Sequence, residues 1–224
     1  MKNGLFIVVD GIDGSGKSEI VKMLHNYLFS KSGKIRDFRD TGNAKHLPVH
    51  KKYRILTTRE PTDGNYGSQI REMLKKEKDP KSNSKKLIKL FIKDRQQHLK
   101  NTIEPFLKKS NKHELNIALC DRYYYSTIAF QSAQGINMKD IITKNKMFRK
   151  PDITFILDVE PYIALGRIAS REKEKFEQLD FMEKIRENFL KLPKVLSDNI
   201  RIIDSSRPLK NVFEDIKKEV NKLI

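Results

Sequence analysis

Gly11-Ile12-Asp13-Gly14-Ser15-Gly16-Lys17-Ser18 is the stretch of this chain best equipped for chemistry. Glycines at 11, 14 and 16 let the backbone turn tightly, so that several N–H groups can converge on an anion. Lys17 can then reach the β- and γ-phosphates of a nucleotide, and the Ser18 hydroxyl can ligate Mg²⁺. The flanking sequence supplies the context. Leu5 to Val9 is a continuous apolar run, read as a strand buried on both faces, and Ser18 to Phe29 has Ile20, Val21, Leu24 and Leu28 at helical spacing. Strand, glycine loop and helix put the phosphates at a helix N-terminus.

Other residues converge on the same chemistry. Asp121 follows the apolar run Ile117 to Cys120, a position from which a carboxylate reaches a metal beside Ser18; it can also N-cap the next helix, and the two roles are compatible. Arg59 and Arg122 end two strands aimed at one crevice, where guanidinium forks suit a phosphate; ion pairing with Glu60 or Asp121 is the alternative. Phe91 and Arg95 are four apart, hence on one helical face. The ring can stack on a pyrimidine while the arginine donates to a carbonyl oxygen, although core packing would equally explain Phe91. Phosphoryl transfer needs positive charge on the migrating group and exclusion of water, which asks for a cationic lid. Arg167 and Arg171 share one helix face, with Lys173 and Lys175 following, so the lid falls near 167–178. A solvated helix end paired with Glu172, Glu174 and Glu177 is the competing account. His46 and His50 also lie four apart, but Pro48 between them argues against a helix and a metal pair.

The elements that must position these groups follow from periodicity. Strands are expected at Leu5 to Val9, Tyr53 to Thr57, Asn116 to Cys120, Ile153 to Leu157 and Ile200 to Ile203. Helices are expected at 18–29, 69–74, 84–107, 124–134, 137–147, from Pro161 through Arg171, 181–192 and 209–223. Strands alternating with helices predict an α/β fold, a five-stranded parallel sheet flanked by helices, in one domain spanning 1–224. Asp13, Arg59, Asp121 and Asp158 all fall beyond C-terminal strand ends, where ligands bind in such sheets. Ser30 to Lys52 exceeds the usual crossover and reads as a functional flap or a neutral insertion.

The 224 residues contain no apolar run near the ~18 of a spanning helix, and Met1 to Gly4 leads straight into a strand, so a cytoplasmic protein is expected. Cys120, the single cysteine, is expected in the core. A net charge of +17 is compatible with nucleic acid, an anionic membrane or phosphorylated small molecules as partners. The excess is lysine scattered without aromatic interleaving, which reads as solvated faces and disfavours nucleic acid.

The ordered set of motifs resembles the thymidylate (dTMP) kinases of the nucleoside monophosphate kinase group. It comprises residues 11–18, Thr-Arg-Glu-Pro (58–61), Leu-Phe-Ile-Lys-Asp-Arg-Gln-Gln-His (90–98), Asp-Arg-Tyr-Tyr-Tyr-Ser-Thr-Ile-Ala-Phe-Gln (121–131), Pro-Asp-Ile-Thr-Phe-Ile-Leu-Asp-Val (151–159) and Ile-Asp-Ser-Ser (203–206). The resemblance implies transfer of the γ-phosphate of ATP, with Mg²⁺, to dTMP, by a homodimer. It implies that Gly11, Asp13, Gly14, Ser15, Gly16, Lys17, Ser18 and Arg167 hold ATP, with Ser205 and Ser206 in the adenine-side loop, and that Ser18 and Asp121 serve the metal. Arg59 and Arg122 would hold the acceptor phosphate, Phe91 and Arg95 the thymine, and Asp13 the 3′-hydroxyl. Thr127, Phe130 and Gln131 would flank the base and sugar; many members have Tyr at the position of Phe130. Gly14 fits the branch in which a lid arginine, here Arg171, stabilises the developing charge. Two alternatives stay open: the same chemistry on dUMP or a deoxynucleoside, or a P-loop nucleotide switch acting on nucleic acid.

Overall fold

The computed structural model describes residues 4–32, 52–76, 83–110, 114–168 and 175–224. Arg171, Lys173, His46 and His50 lie outside them. Five strands, β1 (Leu5–Gly11), β2 (Lys52–Arg59), β3 (Glu114–Asp121), β4 (Ile153–Asp158) and β5 (Ile200–Asp204), form one sheet in the order β2-β3-β1-β4-β5. Every pairing is parallel. The helices are α1 (Lys17–Lys31), α2 (Asn65–Lys76), α3 (Ser84–His98), α4 (Glu104–Leu107), α5 (Tyr124–Ala133), α6 (Met138–Asn145), α7 (Pro161–Ile168), α8 (Lys175–Val195) and α9 (Leu209–Asn221).

β1 is central and every one of its residues is buried, which is why it reads as an unbroken apolar run rather than an alternating one. Its side chains still alternate between two cores. Leu5, Ile7 and Val9 pack with Ile20, Leu24 and Leu28 of α1 and with Val212, Ile216 and Val220 of α9. Phe6 and Val8 pack on the opposite face with Ile128 and Ala129 of α5 and Ile185, Phe189 and Leu192 of α8. Each such side chain, fully buried, stabilises by about 1.5–3 kcal/mol. Cys120 belongs to the second core, as expected. The register sets Arg59 and Val9 level with Asp121, and Asp158 level with Asp204, so the C-terminal strand ends form one rim.

Several boundaries differ from expectation. The single helix expected over 84–107 is interrupted at Leu99–Ile103 by a π-helical turn, in which Glu104 N–H bonds to Leu99 O. Pro105 is the cause: it lacks an N–H and its ring excludes the carbonyl four residues back. The short helix expected at 69–74 runs Asn65–Lys76, and that at 181–192 runs Lys175–Val195 with Pro193 in its last turn. Helix α7 is described only to Ile168. Among the described residues no helix is long and apolar enough to cross a membrane.

Candidate active site

The phosphate loop uses glycine where the backbone demands it. Gly11, Gly14 and Gly16 have φ of 140°, 77° and 94°, a region that costs any residue with a Cβ. Gly14 has a second constraint: a Cβ there would collide with the Ala164 carbonyl oxygen of α7. No side chain caps α1, so its first N–H groups are left for an anion. Lys17 is folded inward, 7% exposed, with Nζ donating to Ile12 O at 2.7 Å. Burial, reinforced by Arg122, pulls its pKa down to about 8 against the opposing fields of Asp13, Asp121 and Asp10.

Beside it, Ser18 Oγ donates to Asp121 Oδ2 at 2.8 Å. The other carboxylate oxygen, Oδ1, is buried without a hydrogen-bond partner. A hydroxyl and a half-satisfied carboxylate next to a phosphate loop are hard oxygen donors, which fits Mg²⁺ shared with phosphates.

Arg122 joins this loop to the turn after β3. Its guanidinium pairs with Asp13 and donates to Gly11 O (3.2 Å) and Ser126 Oγ (2.9 Å), while lying 5.5 Å over the Phe130 ring. Its backbone is left-handed, φ 70°, held by an N–H bond to Val9 O at 2.9 Å. Asp10 is what fixes that turn. Fully buried, it accepts from Gly11 N, Tyr123 N, Ser126 N and Ser126 Oγ at 2.6–3.1 Å. Burial pushes its carboxyl up, against the lowering pull of Arg122 and these donors.

Asp13, Lys17, Ser18, Arg59, Asp121 and Arg122 line one pocket of about 510 Å³. The expected donor and acceptor-phosphate groups are therefore brought together. Arg59 is 64% exposed and pairs with Asp63 at 3.1 Å, not with Glu60 or Asp121. Arg71 shares Asp63 at 3.2 Å and lines the same pocket, a second guanidinium that the sequence did not single out.

The base-side residues are not part of that pocket's lining, and the polar ones among them are buried. Arg95 is 0% exposed, and Thr127 and Gln131 are buried. Arg95 bonds to Glu60, Asn145 and Thr127. Gln131 Oε1 is buried without a partner. Phe91 packs partly buried against Ile70, Leu87 and Leu90 between α2 and α3, and Phe130 packs edge-on against Phe189. On the other side, Arg167 donates to Gly14 O (3.4 Å) and Ser205 O (2.9 Å), tying α7 to the loop. Ser205 Oγ donates to Asp158 O at 2.9 Å. The Asp158 carboxylate is engaged by Arg186 at 2.6 and 3.1 Å, which gives it a structural role at the rim. The parts played by Asp10 and Glu60 were not read from the sequence, although each carboxylate abuts a strand end or a motif arginine.

A parallel sheet with a glycine phosphate loop after its central strand, a serine–aspartate oxygen pair beside it and arginines facing the loop from the next strand ends define a P-loop protein of the nucleoside monophosphate kinase type. The sequence profile of the thymidylate kinase family matches residues 43–216. Over 222 residues the chain is 32% identical to a probable thymidylate kinase of Archaeoglobus fulgidus, covering 98% of this chain and 96% of the relative. It is 34% identical to one of Staphylothermus marinus over 97% and 95%, and 29% identical to a thymidylate kinase of Clostridium novyi over 97% and 98%. The chain belongs to the thymidylate kinase family.

Proposed function

We propose that the chain is an ATP:dTMP phosphotransferase that makes dTDP and ADP. The observation that supports this most is the single pocket in which Lys17 and Ser18, on the donor side, face Arg59 and Arg122 on the acceptor side. The uncapped N–H groups of α1 and Lys17 bind the triphosphate, with Arg167 and Ser205 at its nucleoside end. Arg59 and Arg122 hold the acceptor phosphate in line, and Asp13, which is paired with Arg122, contacts the sugar 3′-hydroxyl. Ser18 and Asp121 would hold Mg²⁺, which when bound neutralises phosphate charge. Arg95 would donate to the base and Gln131, whose Oε1 is without a partner, would accept from it, with Phe91 stacking on the ring and Thr127 and Phe130 flanking base and sugar. Arg171 is the proposed source of positive charge on the migrating group. Catalysis rests on positioning and charge, without a covalent intermediate. A cytoplasmic homodimer is the proposed working form.

ADP formation from ATP with dTMP, dUMP, UMP, dCMP, AMP and thymidine, each with and without Mg²⁺, tests the reading. Turnover of dTMP far above the others supports it; ATP binding without turnover of any acceptor overturns it.

A further inference from the structure

Arg95 is held by more than its size requires. Nε and Nη2 both reach Glu60 Oε2, at 2.8 and 2.7 Å. Nη1 donates to Asn145 Oδ1 at 2.6 Å and Nη2 to Thr127 Oγ1 at 3.0 Å. Three of the five N–H groups of the guanidinium are hydrogen-bonded and the second on Nη2 faces Glu60 Oε2 across the ion pair, which leaves one on Nη1. The Arg95 Cζ lies 5.1 Å from the centre of the Tyr123 ring and 5.6 Å from that of Phe148.

The opposite oxygen of Glu60 is itself fixed. His98 Nδ1 lies 3.1 Å from Glu60 Oε1, and because an ionised carboxylate only accepts, Nδ1 is the protonated nitrogen. His98 Nε2 is hydrogen-bonded to the Thr58 hydroxyl at 2.7 Å. The result is a hydrogen-bonded chain in which Thr58 meets His98 and the Glu60 carboxylate accepts from both His98 and Arg95, joining the end of β2 to α3. Both Glu60 and His98 are buried. A buried ion pair adds little stability over apolar side chains of the same volume, so stability alone does not account for such a chain.

We infer that Glu60 and His98 are positioning residues for acceptor selection: they set the roll of the Arg95 guanidinium so that its one remaining Nη1 hydrogen meets a carbonyl oxygen of the base. The inference rests on the reading in which Arg95 contacts the acceptor base. A fixed single donor favours an oxo-pyrimidine over cytosine, whose amino group presents a donor in place of that oxygen. A guanidinium free to roll would discriminate less.

The test is steady-state kinetics of the full chain with dTMP, dCMP and ATP varied in turn, for Glu60→Gln, His98→Leu, His98→Asn, Thr58→Val and Arg95→Lys. Glu60→Gln and His98→Leu are expected to raise KM for dTMP roughly tenfold to a hundredfold, the loss of a charge-assisted bond, with KM for ATP unchanged. The preference for dTMP over dCMP should narrow with it. His98→Asn, which restores an N–H at the Nδ1 position, should recover most of the loss. Thr58→Val removes only a hydroxyl and gives the same selective rise, smaller, even should the buried Glu60 variant not fold. Unchanged dTMP KM in His98→Leu and Thr58→Val, or equal rises for ATP and dTMP, overturn the relay. If Arg95→Lys alters acceptor preference while they do not, only the relay falls; if Arg95→Lys alters nothing, the base reading falls with it.

Discussion

The Arg122 guanidinium is paired with the Asp13 carboxylate across the mouth of the phosphate loop, and the same side chain donates to Gly11 O. In the proposed function, the group that would hold the acceptor phosphate is thus braced on the loop that would hold the donor, so both substrates would be located against one rigid part. Lysine has no fork with which to make the Asp13, Gly11 and Ser126 contacts together. Arg122→Lys should therefore lower kcat/KM for dTMP by about 10²- to 10³-fold with little change in thermal unfolding, as steady-state kinetics beside a melting curve would read.

Lys17 should make nucleotide binding depend on pH. Its folded-state pKa, about 8, lies below the ordinary 10.5, so the folded protein holds this proton less tightly than the unfolded chain does. Stability of the nucleotide-free protein should then rise with pH between those values. A bound triphosphate favours the ammonium form and reverses the shift, so binding takes up a proton above pH 8 and weakens by up to about tenfold per pH unit there. Calorimetry at pH 7 and 9 in buffers of different ionisation enthalpy reads that proton; Lys17→Met should abolish it.

Asp10 accepts four hydrogen bonds with no solvent to replace them. Asn at this position must turn an NH₂ toward at least one backbone N–H that needs an acceptor, Gly11 in one orientation or Tyr123 and Ser126 in the other. Asp10→Asn should cost about 2–4 kcal/mol in chemical denaturation and release the turn that presents Arg122.

Gly14 meets both a left-handed backbone and the Ala164 carbonyl. Gly14→Ala should strain the loop by about 1–2 kcal/mol for its φ alone and push α7 away, raising KM for ATP more than KM for dTMP. An equal change in both constants would show that α7 and the loop do not act together.

Much of this protein was legible in its residues because the signals are local. A run such as Leu5 to Val9 must be buried on both faces, and glycines at 11, 14 and 16 permit what few other residues can. The five strands, their parallel arrangement and the meeting of Lys17, Ser18, Asp121 and Arg122 follow from strand ends sharing one rim. The π-turn at Leu99–Ile103 was announced by Pro105 but hidden by the apolar spacing around it, which suits one long helix equally well.

Contacts between distant segments were not legible. Nothing local says that Arg59 pairs with Asp63 rather than Glu60, since both acids lie within reach along the chain. Glu60 turns instead into the core toward Arg95 and His98, thirty-five and thirty-eight residues on, because α3 packs against the end of β2. The phosphate-binding half is written in the sequence, where backbone geometry and a helix terminus dictate residue type. The hold on Arg95 is decided only by tertiary packing, because a buried charge takes whichever partner the fold brings within hydrogen-bond distance.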